Sequence, residues 1–251
     1  MSEIPQIKDF HQFHEAFNEY DYNVTIFRGV RDWKYELKPR VARITDFNYH
    51  SDWSLEKKER DLLRIFKERA IPHLKYNPSN EWDWLAIAQH FRLPTRLLDW
   101  SRNPLVAAYF AVEKNNNKDS AIYALTYPHY LDVDTINENK DPFKFGIFTK
   151  FIPPHITNRI TAQEGVFTIR EDPTRPLKTS GELKIDKFII DNNFKRELKK
   201  ILYHYGIHQA SLFPDLESIA NHIEWMKRDV HDIEEHSILS HNQKTFEDRK
   251  I

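Results

Sequence analysis

The order of the hydrophobic patterns along the chain restricts the folds that it can adopt. Residues 62–70 and 84–91 place apolar side chains at the spacing of one helix face. Runs rich in β-branched and aromatic residues follow, at residues 121–125 and 183–190, and these are typical of strands. Helical spacing then returns beyond residue 195. Helices, then strands, then helices predict an α+β fold in which a mixed or antiparallel sheet packs with helices.

One compact domain is expected from the length and the composition. The chain has 251 residues, of which 40% are hydrophobic, and this is enough apolar material for a single large core. Along the chain we expect an N-terminal helix in residues 1–23, the main domain in residues 24–228 and a polar C-terminal tail in residues 229–251.

Capping residues give the expected boundaries of several elements. Ser54, Asn80 and Asn103 each precede apolar residues at helical spacing, so helices should begin after them. Gly206 marks the end of a later helix. The other expected elements are helices over residues 10–20, after residues 191–192 and after Pro214, strands over residues 24–27, 121–125, 145–151, 165–170 and 183–190, and a loop over residues 95–101.

The composition excludes several kinds of site. The chain has no cysteine, which rules out disulfides and thiolate metal ligands. Its 13 histidines show no ligand spacing such as His-Glu-x-x-His, so we expect no metal and give little weight to a metal-dependent nuclease. Neither a signal sequence nor an apolar run long enough to cross a bilayer is present, so we expect a cytoplasmic protein with no membrane partner.

Charge is balanced over the whole chain but not locally. The 37 basic and 38 acidic residues give a net charge of -1, which argues against a protein dedicated to non-specific nucleic-acid binding. Residues 28–43 nevertheless carry six arginines and lysines against two carboxylates. This stretch is either a solvated face or a surface that receives an anionic ligand.

Polar groups alternate with aromatic residues most densely between residues 81 and 101. His90 is expected at the C-terminal end of a helix, where it either caps the helix carbonyls, or acts as a general base or as a hydrogen-bond donor to a phosphate. Arg96 and Asp99 lie three positions apart, and they either pair with each other or serve a ligand.

Two further candidates stand at expected strand ends. Arg28 has a forked guanidinium that suits a phosphate or a carboxylate, and the adjacent Gly29 would let a ligand approach the backbone. Alternatively, Arg28 holds a loop. Glu164 enters another strand, either as an acid/base group or as a solvated strand end.

Several motifs in fixed order resemble the FRG domain, a family named for its (Phe/Tyr)-Arg-Gly motif and found in bacterial and phage proteins. The likeness extends over residues 24–220. The motifs are Phe27-Arg28-Gly29, Gln89-His90, residues 93–101, Asn103-Pro104, residues 163–167 and residues 212–216.

The order of motifs is also similar to that of mono-ADP-ribosyltransferases of the Arg-Ser-Glu type. This resemblance implies an ADP-ribosyltransferase-like fold and NAD as the cofactor. It implies that Arg28 holds the NAD phosphate, that Thr95 or Ser101 supports the nicotinamide pocket, and that Glu164 stabilises the ribosyl cation.

The residues and the two resemblances together give one set of candidates. The candidate catalytic residues are His90, Asp99 and Glu164, and the candidate cofactor-binding residues are Arg28, Gly29, Thr95, Arg96 and Ser101. Of these, Arg28, His90, Arg96 and Asp99 are expected around a single cavity.

The leading hypothesis is a protein that binds a phosphorylated, nucleotide-like small molecule. The resemblances imply an NAD-dependent, ADP-ribosyltransferase-like effector in a toxin or phage-defence setting. The alternative is a non-catalytic module that binds nucleic acid or a protein partner through residues 28–43. An enzyme should gather Arg28, His90 and Glu164 around one concave pocket, whereas a binding module should spread its basic residues over an open face.

Overall fold

The fold is built on one eight-stranded sheet in the part of the chain that the computed structural model describes, residues 4–74, 78–114, 116–138, 141–153 and 162–230. The strands are β1 (Gln6–Ile7), β2 (Thr25–Val30), β3 (Leu98–Ser101), β4 (Ser120–Thr126), β5 (Tyr130–Leu131), β6 (Thr149–Phe151), β7 (Gly165–Ile169) and β8 (Lys184–Ile190). The helices are α1 (Phe10–Phe17), α2 (Leu55–Ala70), α3 (Glu81–His90), α4 (Pro104–Val112), α5 (Val133–Glu138), α6 (Lys195–His204), α7 (Gln209–Leu212) and α8 (Leu216–Trp225).

The sheet is mixed, with the strand order β1-β8-β4-β2-β3-β7-β6-β5. β1 pairs with β8, and β5 with β6, in parallel, while the other neighbours are antiparallel. The two edge strands, β1 and β5, have two residues each. The expected α+β fold with a mixed sheet is confirmed.

Helices α2, α3 and α4 begin where their capping residues predict, and α6 ends where Gly206 predicts. The side chains of Ser54, Asn80 and Asn103 each accept a hydrogen bond from a backbone N–H in the first turn of α2, α3 and α4. Gly206 follows α6 with a φ of 76°, a left-handed conformation that glycine adopts at helix ends without strain. The helix expected directly after residues 191–192 begins later, at Lys195, and Phe194 at its N-cap makes no side-chain capping hydrogen bond.

Two groups of helices cover the same face of the sheet. α1, α4 and α6 bury their apolar residues with Phe27 of β2, and α2 and α3 bury theirs with Phe151 and Phe167 of β6 and β7. The register shows that these clusters share a face, because Phe27 is opposite Ser101, and Phe167 is opposite both Asp99 and Phe151. β3 therefore lies under the boundary between the two groups of helices.

Near the candidate residues, part of an expected loop forms a strand, and one expected strand has different bounds. Residues 98–101 form β3 instead of a loop, with Leu98 and Trp100 buried and Asp99 exposed between them. The strand expected over residues 24–27 continues to Val30, so Arg28 lies inside a strand and not at its end. Tertiary pairing with β4 and β7 stabilises both segments, and the local sequence does not show that pairing.

The remaining differences concern bounds. The helix expected over residues 10–20 ends at Phe17, and the strand expected over residues 145–151 is limited to Thr149–Phe151. The N-terminal segment is part of the same core, since β1 pairs with β8 and Phe17 of α1 packs edge-on against Phe27. The expected polar tail lies outside the described residues beyond Val230. None of the described helices has the length and hydropathy needed to cross a bilayer.

Candidate functional site

A cavity of about 410 Å³ lies over β3, between the C-terminal end of α3 and one side of α4. Residues of β2, β3 and β7 form its floor, and residues 35–43 contribute part of its wall. Five of the residues predicted from the sequence line it, namely Arg28, Gly29, His90, Asp99 and Ser101. The other three, Thr95, Arg96 and Glu164, are not among the lining residues.

Arg28 reaches across the point where β2 and β3 separate. The pairing of these strands is limited to Phe27 opposite Ser101, and beyond it the Arg28 guanidinium donates a hydrogen bond to the backbone carbonyl of Asp99. Arg28 Nη1 also lies 3.6 Å from Asp99 Oδ2, and the side chain is only 20% exposed. Burial lowers the pKa of Arg28, Asp99 opposes this, and nearby Arg43 adds to it. Because a guanidinium stays charged at neutral pH, the cavity contains a partly desolvated cation.

The cavity as a whole carries an excess of positive charge. Its basic residues are Arg28, Arg31, Lys38, Arg40, Arg43, Arg92 and Lys114, and its carboxylates are Glu36, Asp99 and Glu113. Arg40 is held in place because its Nη1 donates to the Arg92 carbonyl at 2.7 Å. Five of the seven basic residues come from the stretch of residues 28–43, so that stretch lines a concave site.

Asp99 is held from the α3 side by a short chain of hydrogen bonds. Gln89 Nε2 donates to Asp99 Oδ2 at 2.7 Å, and Thr95 Oγ1 donates to Gln89 Oε1 at 2.6 Å. Thr95 is buried behind Gln89 and does not line the cavity. Thr95 therefore influences the cavity through Gln89 and not through contact with a ligand.

Gly29 is required by the packing of α4. A Cβ atom at this position would lie 1.9 Å from the Ala107 carbonyl oxygen and 2.7 Å from the Ala111 nitrogen. The backbone of α4 fills the space on the side where a side chain would lie, and the expected approach of a ligand to the Gly29 backbone stays a prediction. Arg28 and Gly29 thus face opposite sides of β2. Gly29 faces α4, whereas the Arg28 guanidinium reaches the backbone carbonyl of Asp99.

Arg96 belongs to a buried ion pair away from the cavity. It is 3% exposed and donates to Glu59 Oε1 at 3.2 Å, to Glu59 Oε2 at 2.8 Å and to the Phe143 carbonyl at 3.1 Å. Burial raises the pKa of Glu59, and the Arg96 charge opposes that rise. The expected pairing of Arg96 with Asp99 is wrong, as is its expected place in the single cavity. Arg96 joins the segment just before β3 to α2 and to the segment around Phe143.

Ser101 and Glu164 stand close in the fold but differ in their surroundings. Ser101 is buried, and its hydroxyl donates to the Gln163 carbonyl at 2.7 Å and accepts from the Asn103 N–H at 3.0 Å. Glu164 is exposed just before β7, with a φ of 46°, and its carbonyl accepts from the Arg102 N–H at 3.2 Å. The Ser101 hydroxyl thus connects β3 to the start of β7, and the role of Glu164 in catalysis stays a prediction.

His90 is the last residue of α3, as expected, and it lines the cavity. Its ring packs edge-on against Phe91, with the ring centroids 4.8 Å apart. Its role as a general base or as a hydrogen-bond donor to a phosphate stays a prediction. The described residues contain no group of three or more histidines and carboxylates placed to hold a metal ion.

A comparison with known families matches a segment that contributes to this cavity. Residues 23–120 match the family model of the FRG domain. The chain contains an FRG domain. The matched segment includes Arg28, Gln89, His90, Asp99 and Ser101, and all five line the cavity.

Part of the cavity lies beyond the segment matched to the FRG domain, since Gln163, Gly165 and Phe167 also line it. No curated protein and no solved structure matches the chain. The resemblance to ADP-ribosyltransferases therefore stays a prediction, and the match of residues 23–120 to the FRG domain does not depend on it.

Proposed function

We propose that the FRG domain of this chain binds a phosphorylated, nucleotide-like ligand in the cavity over β3. The observation that carries the proposal is the convergence of seven arginines and lysines on one concave space, with Arg28 partly desolvated at its floor. A phosphate is the ligand group that best matches a forked guanidinium supported by further cations. A volume of about 410 Å³ is typical of small-molecule sites.

The shape of the site favours a small ligand over a macromolecular surface. A module that binds nucleic acid would spread its basic residues over an open face, to follow a phosphate backbone. Here the basic residues come from β2, from residues 38–43, and from positions after α3 and α4, and they all line the same cavity. The alternative, in which the domain binds nucleic acid or a protein partner instead of a small ligand, is the contrary outcome of the test below.

NAD is the cofactor that the resemblance to ADP-ribosyltransferases suggests, and transfer of ADP-ribose is the corresponding activity. The geometry supports ligand binding more than transfer. Glu164 is not among the lining residues, and Gln163-Glu164-Gly165 does not have the Glu-x-Glu form. Binding and turnover are therefore tested separately, and the toxin or phage-defence setting stays a prediction.

The binding test uses calorimetric titration of the purified protein with NAD, ADP and inorganic pyrophosphate. The parent should bind at least ADP. Arg28→Lys keeps the charge but removes the bidentate geometry, so its affinity should fall about tenfold or more, which is the loss of one charge-assisted hydrogen bond. The melting temperature of the free protein should change little.

Arg64→Lys is the matched control. Arg64 lies on the outer side of α2, is 57% exposed and pairs with Asp61 and Glu68. Its variant should bind as the parent does. The proposal fails if no nucleotide binds while a nucleic-acid oligomer does, or if Arg28→Lys and Arg64→Lys bind equally well. Release of nicotinamide from NAD, followed in the same samples, decides whether binding leads to turnover.

A further inference from the structure

The Gln89 side chain is held between Thr95 and Asp99. The backbone N–H of Leu97 donates to Thr95 Oγ1 at 3.2 Å, and a backbone N–H can only donate. The hydroxyl proton of Thr95 is therefore free to point at Gln89 Oε1, 2.6 Å away. Because the Asp99 carboxylate can only accept, the NH2 group of Gln89 faces Asp99, and the Thr95 hydroxyl holds this orientation by donating to Oε1.

One carboxylate oxygen of Asp99 is occupied from two sides. Oδ2 accepts from Gln89 Nε2 at 2.7 Å, and Arg28 Nη1 lies 3.6 Å from the same oxygen. The backbone of Asp99 is fixed as well, since it pairs with Phe167 in β7 and its carbonyl accepts from Arg28. The carboxylate is thus anchored through Oδ2 and through the strand.

The other oxygen, Oδ1, has no hydrogen-bond donor among the described residues, and the Asp99 side chain is 55% exposed at the cavity. An ionised carboxylate accepts hydrogen bonds and donates none. A phosphate close to this oxygen would be repelled, although the rest of the cavity attracts phosphate. A ligand that fits both features carries its phosphate toward the basic residues and presents a hydrogen-bond donor to Asp99.

We propose that Asp99 accepts a hydrogen bond from a ribose hydroxyl of the ligand, and that Gln89 and Thr95 are the positioning residues that hold the carboxylate for it. The inference rests on the proposed function and deepens it, because it names a nucleotide with free ribose hydroxyls as the ligand class. The site should discriminate against nucleotides that lack those hydroxyls. Because Asp99 is half exposed, water can replace a missing hydroxyl, so the discrimination should be about tenfold and not larger.

The test compares ADP with dideoxy-ADP, which lacks both ribose hydroxyls, and the readout is the ratio of the two dissociation constants. A ratio cancels any change that weakens both ligands equally, such as a general loss of folding. The parent should prefer ADP by about tenfold. Asp99→Ala should bring the ratio close to one, and removal of its negative charge should leave dideoxy-ADP binding as tight as before or tighter.

Thr95→Val and Thr95→Ser test the positioning role. Valine keeps the shape but removes the hydroxyl that orients Gln89, so the preference for ADP should fall, whereas serine keeps the hydroxyl and should retain the preference. If valine and serine give the same ratio, the positioning role of Thr95 and Gln89 is refuted. If the parent binds both ligands equally, or Asp99→Ala keeps the preference, the hydroxyl contact is wrong while the proposed function stands. If the parent binds neither ligand, the proposed function and this inference fail together.

Discussion

Replacing Lys150 by methionine should remove a pH dependence of stability that the parent shows above neutral pH. Lys150 lies in β6 and is completely buried. Its Nζ donates to the Val24 carbonyl at 2.8 Å and lies 3.7 Å from the centroid of the Tyr130 ring. Burial lowers the pKa of Lys150 to about 8, and the charge of Arg102 adds to this effect.

The magnitude follows from the difference between the folded and unfolded pKa values. In the unfolded chain the lysine has its ordinary pKa of 10.5. Between about 8 and 10.5 the unfolded state binds a proton that the folded state does not, so the free energy of unfolding rises with pH. The full effect is about 3 kcal/mol, of which about 2 kcal/mol should be gained by about pH 9.5.

Urea denaturation of the parent and of Lys150→Met, at about pH 7 and at about pH 9.5, measures this effect. The methionine variant should not strand the Val24 carbonyl, because the Tyr127 N–H also donates to it at 3.1 Å. Lys184→Met, at an exposed position of β8, is the control and should follow the parent. If the difference in stability between the parent and Lys150→Met does not change with pH, Lys150 is not desolvated and the reasoning is refuted.

Two further substitutions test other parts of the structure. Gly29→Ala should destabilise the fold by about 3 kcal/mol or more, because its Cβ would lie 1.9 Å from the Ala107 carbonyl oxygen. Gly146→Ala is the control and should change the melting temperature little, because no atom lies within 4 Å of its Cβ. Equal melting temperatures for the two variants would contradict the packing role of Gly29. His208 and His222 stack with ring centroids 4.0 Å apart, and burial lowers the pKa of both. The free energy of unfolding should therefore fall as the pH drops below about 6.5, because the unfolded chain then binds protons that the folded protein does not. Melts of His222→Phe at about pH 7 and about pH 5 should show a smaller loss than melts of the parent, and an equal loss would mean that the stacked pair does not cause the acid sensitivity.

The starts of α2, α3 and α4 were predictable because each depends on a few neighbouring residues. Asn80 and Asn103 cap the first turns of their own helices, so the signal and the structure lie within a few positions of each other. β3 was not predictable in the same way. Its four residues, of which only Asp99 is exposed, are too few to show a strand pattern, and its pairing partner Gly165–Ile169 lies more than sixty residues away along the chain.

Five of the eight candidate residues predicted from the sequence line one cavity, but the hydrogen-bond partners of these residues were not predictable. Arg28 and Asp99 line one cavity as expected, and both lie in the segment that matches the FRG model. Arg96 could not be separated from them by sequence spacing, since its partner Glu59 lies on α2, and only the packing of that helix shows the pairing. Gln89 was recognisable as part of a motif. Its contacts with Thr95 and Asp99 were not, because they depend on how the chain after α3 folds back against the end of that helix.

The short edge strands of the sheet affect how the protein behaves at high concentration. An exposed edge offers unpaired N–H and C=O groups to a second chain, and long apolar edges promote aggregation. β5 ends one side after two residues, and on the other side β1 covers Ile189 and Ile190, the apolar end of β8. The part of β8 that β1 leaves uncovered carries Lys184, Asp186 and Lys187, and these charges disfavour pairing with another copy. Loss of Gln6–Ile7 would uncover the apolar end of that strand and make self-association more favourable.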